Sequence, residues 1–306
     1  MLVVLKVAIA CLVAGGWWLW TPDKPRAALE ATYLAAPTDY REVAGIRLHV
    51  RDSGPRDAPA IVLLHGFGSS LHTWEPWAER LAHDFRVVRY DLPGFGLTGA
   101  DPTGDYSDRR GLEVLAALMD QLGIARATVV GNSLGGKLAW NFAVTHPDRV
   151  ARLVLISPDG FASPGFDYDK RPSVPAMLKL LPYTLPRALL RMSLTPAYGD
   201  PRRLTEATVT RYRDMMLAPG VRGAIVARMG QVMLPPPEPL LRRIQAPTLL
   251  LWGKRDGMIP FRNAADYVRD IPHATLVALP ELGHVPFEEA PAESLDPVLT
   301  FLAANP

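Results

Sequence analysis

Short uninterrupted apolar runs recur along most of the chain, and they alternate with segments whose apolar residues fall at helical spacing. Such runs are typical of strands buried on both faces of a parallel sheet, joined by helical crossovers. The runs that we expect to form strands are 61–64, 86–90, 127–130, 153–156, 248–252 and 275–279. An alternating segment, Arg41 to Asp52, precedes them and predicts a hairpin that turns at Ala44-Gly45. The pattern therefore predicts an α/β fold with a mostly parallel, doubly wound sheet.

The alternation of strands and helices stops between Ser157 and Ile244, where helical patches alternate with prolines. This interval is too long for an ordinary connection. We predict a helical cap inserted at about 158–243 of a domain that spans 38–306. The interval is rich in methionine, a residue that fills cores and also lines adaptable apolar pockets. These methionines are Met177, Met192, Met215, Met216, Met229 and Met233.

The first twenty residues differ in pattern from the rest of the chain. Lys6 is the only charge between Leu2 and Trp20, and the run ends in Trp17, Trp18 and Trp20. An apolar run with an aromatic end predicts a membrane anchor over 1–20, followed by a linker over 21–37. The alternative is a cleaved signal segment that leaves a secreted or periplasmic protein. The flanking charges indicate no orientation.

Composition excludes several other classes of protein. The chain has 306 residues, 48% of them hydrophobic, which is enough for one large core. Its net charge is +2 and its basic residues are scattered, so we expect no nucleic-acid partner. Cys11 is the only cysteine, which excludes an internal disulfide and a metal site built on cysteines. The composition indicates nothing about the oligomeric state.

One short motif, Gly131-Asn132-Ser133-Leu134-Gly135, joins a predicted strand to a predicted helix. A serine on a sharp strand-to-helix turn has neighbours two residues away that lie too close for side chains, and glycine meets that requirement. Its hydroxyl lies at a helix N-terminus, which favours developing negative charge. The pattern occurs by chance in glycine-containing loops, but the strand before it and the helix after it favour a nucleophile. We therefore predict that Ser133 is nucleophilic.

A serine nucleophile needs a base, and the base needs a group that orients it. Among the seven histidines, His284 follows the last predicted strand in a glycine-led loop, and we predict that it is the base. Asp256 follows the preceding strand, and the chain order Ser, Asp, His is the one expected for this fold. Asp159, which also follows a strand, is the alternative acid.

The same chemistry requires hydrogen-bond donors for an oxyanion. The backbone N–H groups of Leu134, at the helix start, and Phe67, after another strand, are the predicted donors. We expect His65 and Asp91, which also follow strands, to have structural roles.

Together these motifs resemble the α/β-hydrolase superfamily, in its capped branch of serine esterases and lipases. The resemblance runs from about Asp39 to the C-terminus, and the motifs that carry it are His65-Gly-Phe-Gly with Trp74, Asp91-Leu-Pro-Gly-Phe-Gly, the serine motif, Trp252-Gly-x-x-Asp256 and Gly283-His284-Val-Pro. Epoxide hydrolases and haloalkane dehalogenases of this branch carry an aspartate nucleophile, and Ser133 argues against both. Carbon–carbon bond hydrolases of the meta-cleavage type share Gly-Asn-Ser but typically have tryptophan after the histidine, where this chain has Val285.

The resemblance implies a serine hydrolase that cleaves carboxylic esters of small apolar substrates through an acyl-enzyme, without metal or organic cofactor. Carbon–carbon bond hydrolysis is the alternative reaction. A membrane-tethered binding protein without catalytic activity is a third possibility, against which the complete set of predicted residues argues. Asn132 favours neither ester nor carbon–carbon cleavage.

Overall fold

A single eight-stranded sheet forms the centre of the protein. The computed structural model describes residues 19–162, 167–171 and 173–305. The strands are β1 (Tyr40–Val43), β2 (Ile46–Ser53), β3 (Ala60–Leu64), β4 (Arg86–Tyr90), β5 (Ala127–Asn132), β6 (Val150–Ile156), β7 (Thr248–Gly253) and β8 (Ala274–Leu279). They lie in the order β1-β2-β4-β3-β5-β6-β7-β8.

Most of the sheet is parallel. Strand β2 runs antiparallel to both β1 and β4, and every other neighbouring pair is parallel. The β1–β2 hairpin turns at Ala44 and Gly45, whose φ angles are 49° and 77°. Two consecutive positive φ angles match the right-handed twist of the flanking strands. The predicted α/β fold with a mostly parallel sheet is confirmed.

Helices cover the sheet and fill the interval between β6 and β7. They are α1 (Arg26–Tyr33), α2 (Glu75–Leu81), α3 (Asp108–Gln121), α4 (Leu134–Thr145), α5 (Arg187–Leu194), α6 (Glu206–Met216), α7 (Val221–Gln231), α8 (Glu238–Leu241), α9 (Ala264–Asp270), α10 (Pro286–Glu289) and α11 (Pro291–Ala304). Helices α5 to α8 belong to the interval between β6 and β7, which we call the cap segment.

The apolar strands are buried on both faces, as their sequence pattern indicates. Along β3, Val62 and Leu64 pack into one hydrophobic cluster, and Ile61 and Leu63 pack into another. Alternate residues of a strand point to opposite faces, so the two clusters lie on opposite sides of the sheet. Helices on both faces complete the layered arrangement typical of parallel sheets.

The segment predicted as a linker, residues 21–37, packs on the domain. Helix α1 buries Leu29, which is 2% exposed. The Tyr33 hydroxyl donates to Asp214 of helix α6 at 3.0 Å, and Arg26 donates to the Leu97 carbonyl at 2.8 Å. This segment therefore joins the cap segment to the loop after β4.

The cap segment is tied to the helix that follows the last strand. Glu289 is buried and accepts backbone N–H groups from Gly199 at 3.0 Å, Asp200 at 2.8 Å and Gly283 at 2.8 Å. Three N–H donors converge on one carboxylate, and charge-assisted bonds of this kind are stronger than neutral ones. Glu289 thus connects the cap segment to the loop after β8.

The localisation predicted from the sequence, attachment to a membrane by an N-terminal helix, is wrong. Within residues 19–162, 167–171 and 173–305, no helix is both long and apolar enough to cross a membrane. The longest of these helices, α3 and α11, have 14 residues each. At 1.5 Å per residue they are about 21 Å long, shorter than the roughly 30 Å of a bilayer core. Residues 1–18 of the predicted anchor lie outside the described residues.

Replacing Glu289 with glutamine tests the connection between cap segment and sheet. In Glu289→Gln an amide N–H₂ faces backbone donors, so we expect the free energy of unfolding to fall by about 2 kcal/mol or more. Urea unfolding followed by circular dichroism measures the change. The matched control is Glu293→Gln at an exposed position of helix α11, where a change below about 0.5 kcal/mol is expected. Equal stability of the two variants would contradict the role of Glu289.

Candidate active site

Ser133 is the single residue between strand β5 and helix α4. Its φ and ψ angles are 53° and −118°, a conformation that residues with a side chain seldom adopt. Its N–H donates to the Ile156 carbonyl at 3.1 Å. Its carbonyl accepts from the N–H groups of Lys137 at 2.9 Å and Asp159 at 3.0 Å. The surrounding backbone thus holds the strained turn from both sides.

The glycines of the serine motif lie where backbone segments approach closely. A Cβ at Gly131 would lie 2.2 Å from the Gly135 carbonyl oxygen. A Cβ at Gly135 would lie 2.2 Å from the carbonyl oxygen of Leu64, the last residue of β3. Real Cβ atoms do not approach other atoms so closely, so both positions require glycine. Their absent side chains allow helix α4 to begin directly against the sheet.

His284 and Asp256 are hydrogen-bonded to each other. The distance between His284 Nδ1 and Asp256 Oδ2 is 2.8 Å, and the two residues are 6% and 8% exposed. The other Asp256 oxygen accepts the N–H groups of Met258 and Ile259, both at 2.8 Å. A carboxylate held in this way fixes the imidazole ring and its tautomer, with the Nδ1 proton toward Asp256.

Asn132 joins the loop of His284 to the turn at Ser133. In the sheet, β6 and β7 separate β5 from β8. The Asn132 Nδ2 group spans this gap by donating to the His284 carbonyl at 2.9 Å and to the Ile156 carbonyl at 3.1 Å. The sequence left the role of Asn132 open. The structure gives it a positioning role next to Ser133.

The cap segment also contacts the loop of His284. The Ala197 carbonyl accepts from the N–H of His284 at 2.7 Å and from the N–H of Val285 at 3.3 Å. Sequence reasoning missed this contact. No signal could have revealed it, because any residue at position 197 supplies a carbonyl.

The two predicted oxyanion donors belong to two different segments, the start of helix α4 and the loop after β3. Leu134 is the first residue of helix α4, and N–H groups there have no acceptor within the helix. Phe67 follows Gly66, where an added Cβ would lie 3.3 Å from Ser133 Cβ and 2.8 Å from Asn132 Oδ1. Because Gly66 has no side chain, the backbone that precedes Phe67 can lie close to Ser133.

His65 and Asp91 hold the loops after β3 and β4. His65 Nε2 accepts from the Leu92 N–H at 2.9 Å, and its Nδ1 donates to the Gly66 carbonyl at 2.8 Å. Burial lowers the pKa of His65, so the ring is neutral and matches these two bonds. Asp91 accepts the Leu71 N–H at 2.7 Å and bonds His49 Nδ1 at 2.8 Å. These contacts correspond to the structural roles expected from the sequence.

Asp159, the alternative acid, lies beside Ser133 rather than on His284. Its N–H donates to the Ser133 carbonyl at 3.0 Å, and its own carbonyl accepts from Trp140 Nε1 at 3.0 Å. Burial raises the pKa of its carboxyl group, and the charge of Lys137 opposes this shift. The hydrogen bond to His284 is made by Asp256.

Comparison with known proteins identifies the family. A family model described as the alpha/beta hydrolase fold matches residues 59–291, which include Ser133, Asp256 and His284. A 2-hydroxy-6-oxo-6-phenylhexa-2,4-dienoate hydrolase of Burkholderia cepacia is 28% identical over 250 residues, 79% of this chain and 86% of that protein. The match spans nearly the whole of that relative.

Two solved structures resemble the chain closely. An enol-lactonase from Burkholderia xenovorans superposes with a TM-score of 0.75 and 26% identity, over 86% of this chain and 99% of the other. A bacterial membrane phospholipase A superposes with a TM-score of 0.73 and 24% identity, over 99% of this chain and 96% of the other. At that identity the second likeness shows the fold alone.

Replacing Asn132 with alanine tests how the loop of His284 is held. The change leaves the buried His284 carbonyl without its donor and removes one of the donors to the Ile156 carbonyl, so we expect the free energy of unfolding to fall by about 2 kcal/mol. Chemical denaturation measures it. The control is Asn141→Ala in helix α4, where the amide donates only to the Lys137 carbonyl of its own helix, at 3.0 Å. A loss at Asn132 no larger than the loss at Asn141 would contradict the positioning role.

Proposed function

The chain belongs to the α/β-hydrolase family, and from that premise we propose that it is a serine hydrolase that cleaves carboxylic esters of apolar substrates through an acyl-enzyme. The observation that carries this proposal is the 2.8 Å hydrogen bond between His284 and Asp256 in a loop tied by Asn132 to the strained turn at Ser133. A nucleophile, a base and an orienting acid are the groups that acyl transfer needs.

In the proposed reaction, the Ser133 hydroxyl attacks the ester carbonyl carbon while His284 Nε2 takes the hydroxyl proton. Asp256 stabilises the imidazolium that forms. The N–H groups of Phe67 and Leu134 donate to the oxyanion of the tetrahedral intermediate. His284 then donates the proton to the departing alcohol. The acyl group of the substrate remains bonded to Ser133. A water molecule, deprotonated by His284, attacks this acyl group, and the acid is released as Ser133 recovers its proton.

The apolar side chains around these residues support an apolar substrate. The Phe67 side chain is 47% exposed and packs edge-on against Phe95, with 5.6 Å between ring centroids. Leu134 is half-buried beside Ser133. Apolar surface next to a few convergent polar groups is typical of small-molecule sites.

The methionines of the cap segment divide between two environments. Met215 is 1% exposed and packs in the core, whereas Met177 and Met192 are 79% and 65% exposed. Met215 therefore has the core-filling role that is usual for methionine. The apolar character proposed for the site rests on Phe67 and Leu134 instead.

Carbon–carbon bond hydrolysis is the second candidate function. It is favoured by the similarity to a dienoate hydrolase, whose name denotes cleavage of a dienoic acid. Ester cleavage is favoured by the similarity to an enol-lactonase, because a lactone is a cyclic ester. Because one fold can host both reactions, the fold does not distinguish them, and only the preferred substrate does.

Ser133→Ala tests the proposed nucleophile. We expect turnover of 4-nitrophenyl butyrate to fall at least about a thousandfold and covalent labelling by a fluorophosphonate to disappear. The matched control is Ser193→Ala in helix α5, which removes a hydroxyl bonded to the Leu190 carbonyl at 2.8 Å. It should keep turnover and labelling. Residual labelling of Ser133→Ala at the original rate would eliminate Ser133 as the nucleophile.

A direct comparison of substrates separates the two candidate reactions. The unaltered protein is given 4-nitrophenyl butyrate and 2-hydroxy-6-oxo-6-phenylhexa-2,4-dienoate, and kcat/KM is measured for each by absorbance. We expect the ester to be preferred by about a hundredfold or more. The dienoate carries a carboxylate that the neutral ester lacks, and a different bond is broken in each substrate. A preference for the dienoate, seen as loss of its chromophore, would establish carbon–carbon cleavage instead.

A further inference from the structure

A buried carboxylate that the proposed mechanism does not use lies just beyond His284. Glu288, in helix α10, has a side chain that is only 6% exposed. Four donors from three parts of the chain converge on it. They are Thr73 Oγ1 at 2.6 Å, the Tyr198 hydroxyl at 2.8 Å, the Tyr212 hydroxyl at 3.2 Å and the guanidinium of Arg211. We call these five residues the Glu288 cluster.

The Glu288 cluster touches the loops that carry two of the predicted functional groups. Glu288 lies four residues after His284, in the helix that directly follows it. On the other side, the Tyr212 hydroxyl accepts from Ser69 Oγ at 3.3 Å, and the Ser69 N–H donates to the Gly66 carbonyl at 3.3 Å. The cluster therefore lies between the loop of His284 and the loop of Phe67, with helix α6 of the cap segment above it.

Arg211 is the member of the cluster that solvent reaches. Its side chain is 24% exposed, although it lies deep in the protein against Glu288. Burial, followed by the charge of Glu288, raises the pKa values of Tyr198 and Tyr212 above the usual range for a phenol. Both tyrosines are therefore neutral and serve as donors. The charges of the cluster are those of one cation and one anion in contact, and they cancel.

A second buried cation of the cap segment, Arg228, is enclosed by backbone carbonyls and aromatic rings. Its two terminal nitrogens donate to the carbonyls of Pro93 at 2.7 Å and Tyr106 at 3.2 Å. Its guanidinium carbon lies 5.2 Å from the centre of the Phe95 ring and 5.3 Å from that of Tyr106. Only 8% of the residue is exposed. Arg211 is thus more accessible to solvent than Arg228.

We propose that Glu288 is a specificity-determining residue: by pairing with Arg211 it makes the cap side of the site electrically neutral, so that the site accepts uncharged acyl chains and rejects acyl chains that end in a carboxylate. This inference rests on the proposed ester hydrolysis for its kinetic test. An unpaired arginine presents a fork of donors that binds a carboxylate through two hydrogen bonds. In this protein Glu288 already occupies that fork. A second carboxylate entering the site loses its hydration and meets the negative charge of Glu288.

Glu288→Gln is the variant that tests this inference. Glutamine keeps the size and the carbonyl acceptor of the side chain and removes its charge. We measure kcat/KM for two esters of equal chain length, the mono-4-nitrophenyl ester of adipate, which carries a carboxylate, and methyl 4-nitrophenyl adipate, which does not. The ratio of anionic to neutral ester should rise by about ten- to a hundredfold, the usual effect of one hydrogen-bonded charge pair. A purely structural role for Glu288 would lower both values and leave the ratio unchanged.

Three further variants sharpen the result. The double variant that combines Arg211→Gln and Glu288→Gln should return the ratio to that of the unaltered protein, because the Arg211 cation that would bind the carboxylate is also gone. Arg211→Gln alone leaves Glu288 unpaired and should lower the ratio, which tests the inference even if Glu288→Gln does not fold.

The charge-matched control is Glu206→Gln in helix α6. The Glu206 side chain is 68% exposed and pairs with Arg187 and Arg191. It should change neither value. A ratio that does not respond to Glu288→Gln and Arg211→Gln would overturn the inference.

A binding measurement separates failure of this inference from failure of the proposed function. Isothermal titration calorimetry with hexanoate and hexanamide reports carboxylate recognition without any reaction. Glu288→Gln should gain about tenfold or more in affinity for hexanoate and little for hexanamide. If the unaltered protein hydrolyses neither ester, the proposed function fails, and the calorimetric difference still decides the role of Glu288. No gain for hexanoate would refute that role.

Discussion

The backbone of Ser133 is held in a conformation that a residue with a side chain adopts only under constraint, and the rest of the site is arranged around it. The constraint comes from hydrogen bonds to Ile156, Lys137 and Asp159 and from close backbone contacts at Gly131 and Gly135. Strain of about 1–3 kcal/mol at such a residue persists only when its surroundings determine it fully. Because the same contacts begin helix α4 directly at the strand end, one local geometry projects the hydroxyl and orients the N–H groups beside it.

Polar contacts between the cap segment and the loop after β8 extend this arrangement beyond the sheet. The Ala197 carbonyl binds the N–H of His284, Glu289 binds three backbone N–H groups, and Glu288 binds Arg211 of helix α6. The helix that carries both glutamates therefore positions the predicted base and anchors the cap segment above it. In our account, this one short helix both contributes to the stability of the cap segment and, through Glu288, neutralises the charge of Arg211.

Much of this organisation could be predicted from the sequence, because local patterns carry it. The apolar runs of β3 and β5 show their burial, the glycines around Ser133 show the sharp turn, and chain order indicates Asp256 and His284. The bonds of Asn132 and Glu288 could not be predicted, because their partners lie 152 and 77 residues away in the chain. The membrane anchor was predicted from the apolar run and the tryptophans at its end, whereas no helix within the described residues is long and apolar enough to span a bilayer.

The central claim of this account is that Ser133 carries the acyl group during turnover. Mass spectrometry of the protein inhibited by a fluorophosphonate tests it most directly, because trypsin releases residues 127–137 as one peptide in which Ser133 is the only serine. We predict a single adduct per chain, located on Ser133, together with complete loss of ester hydrolysis. An adduct on any other residue, or inhibition without an adduct on this peptide, would contradict the account.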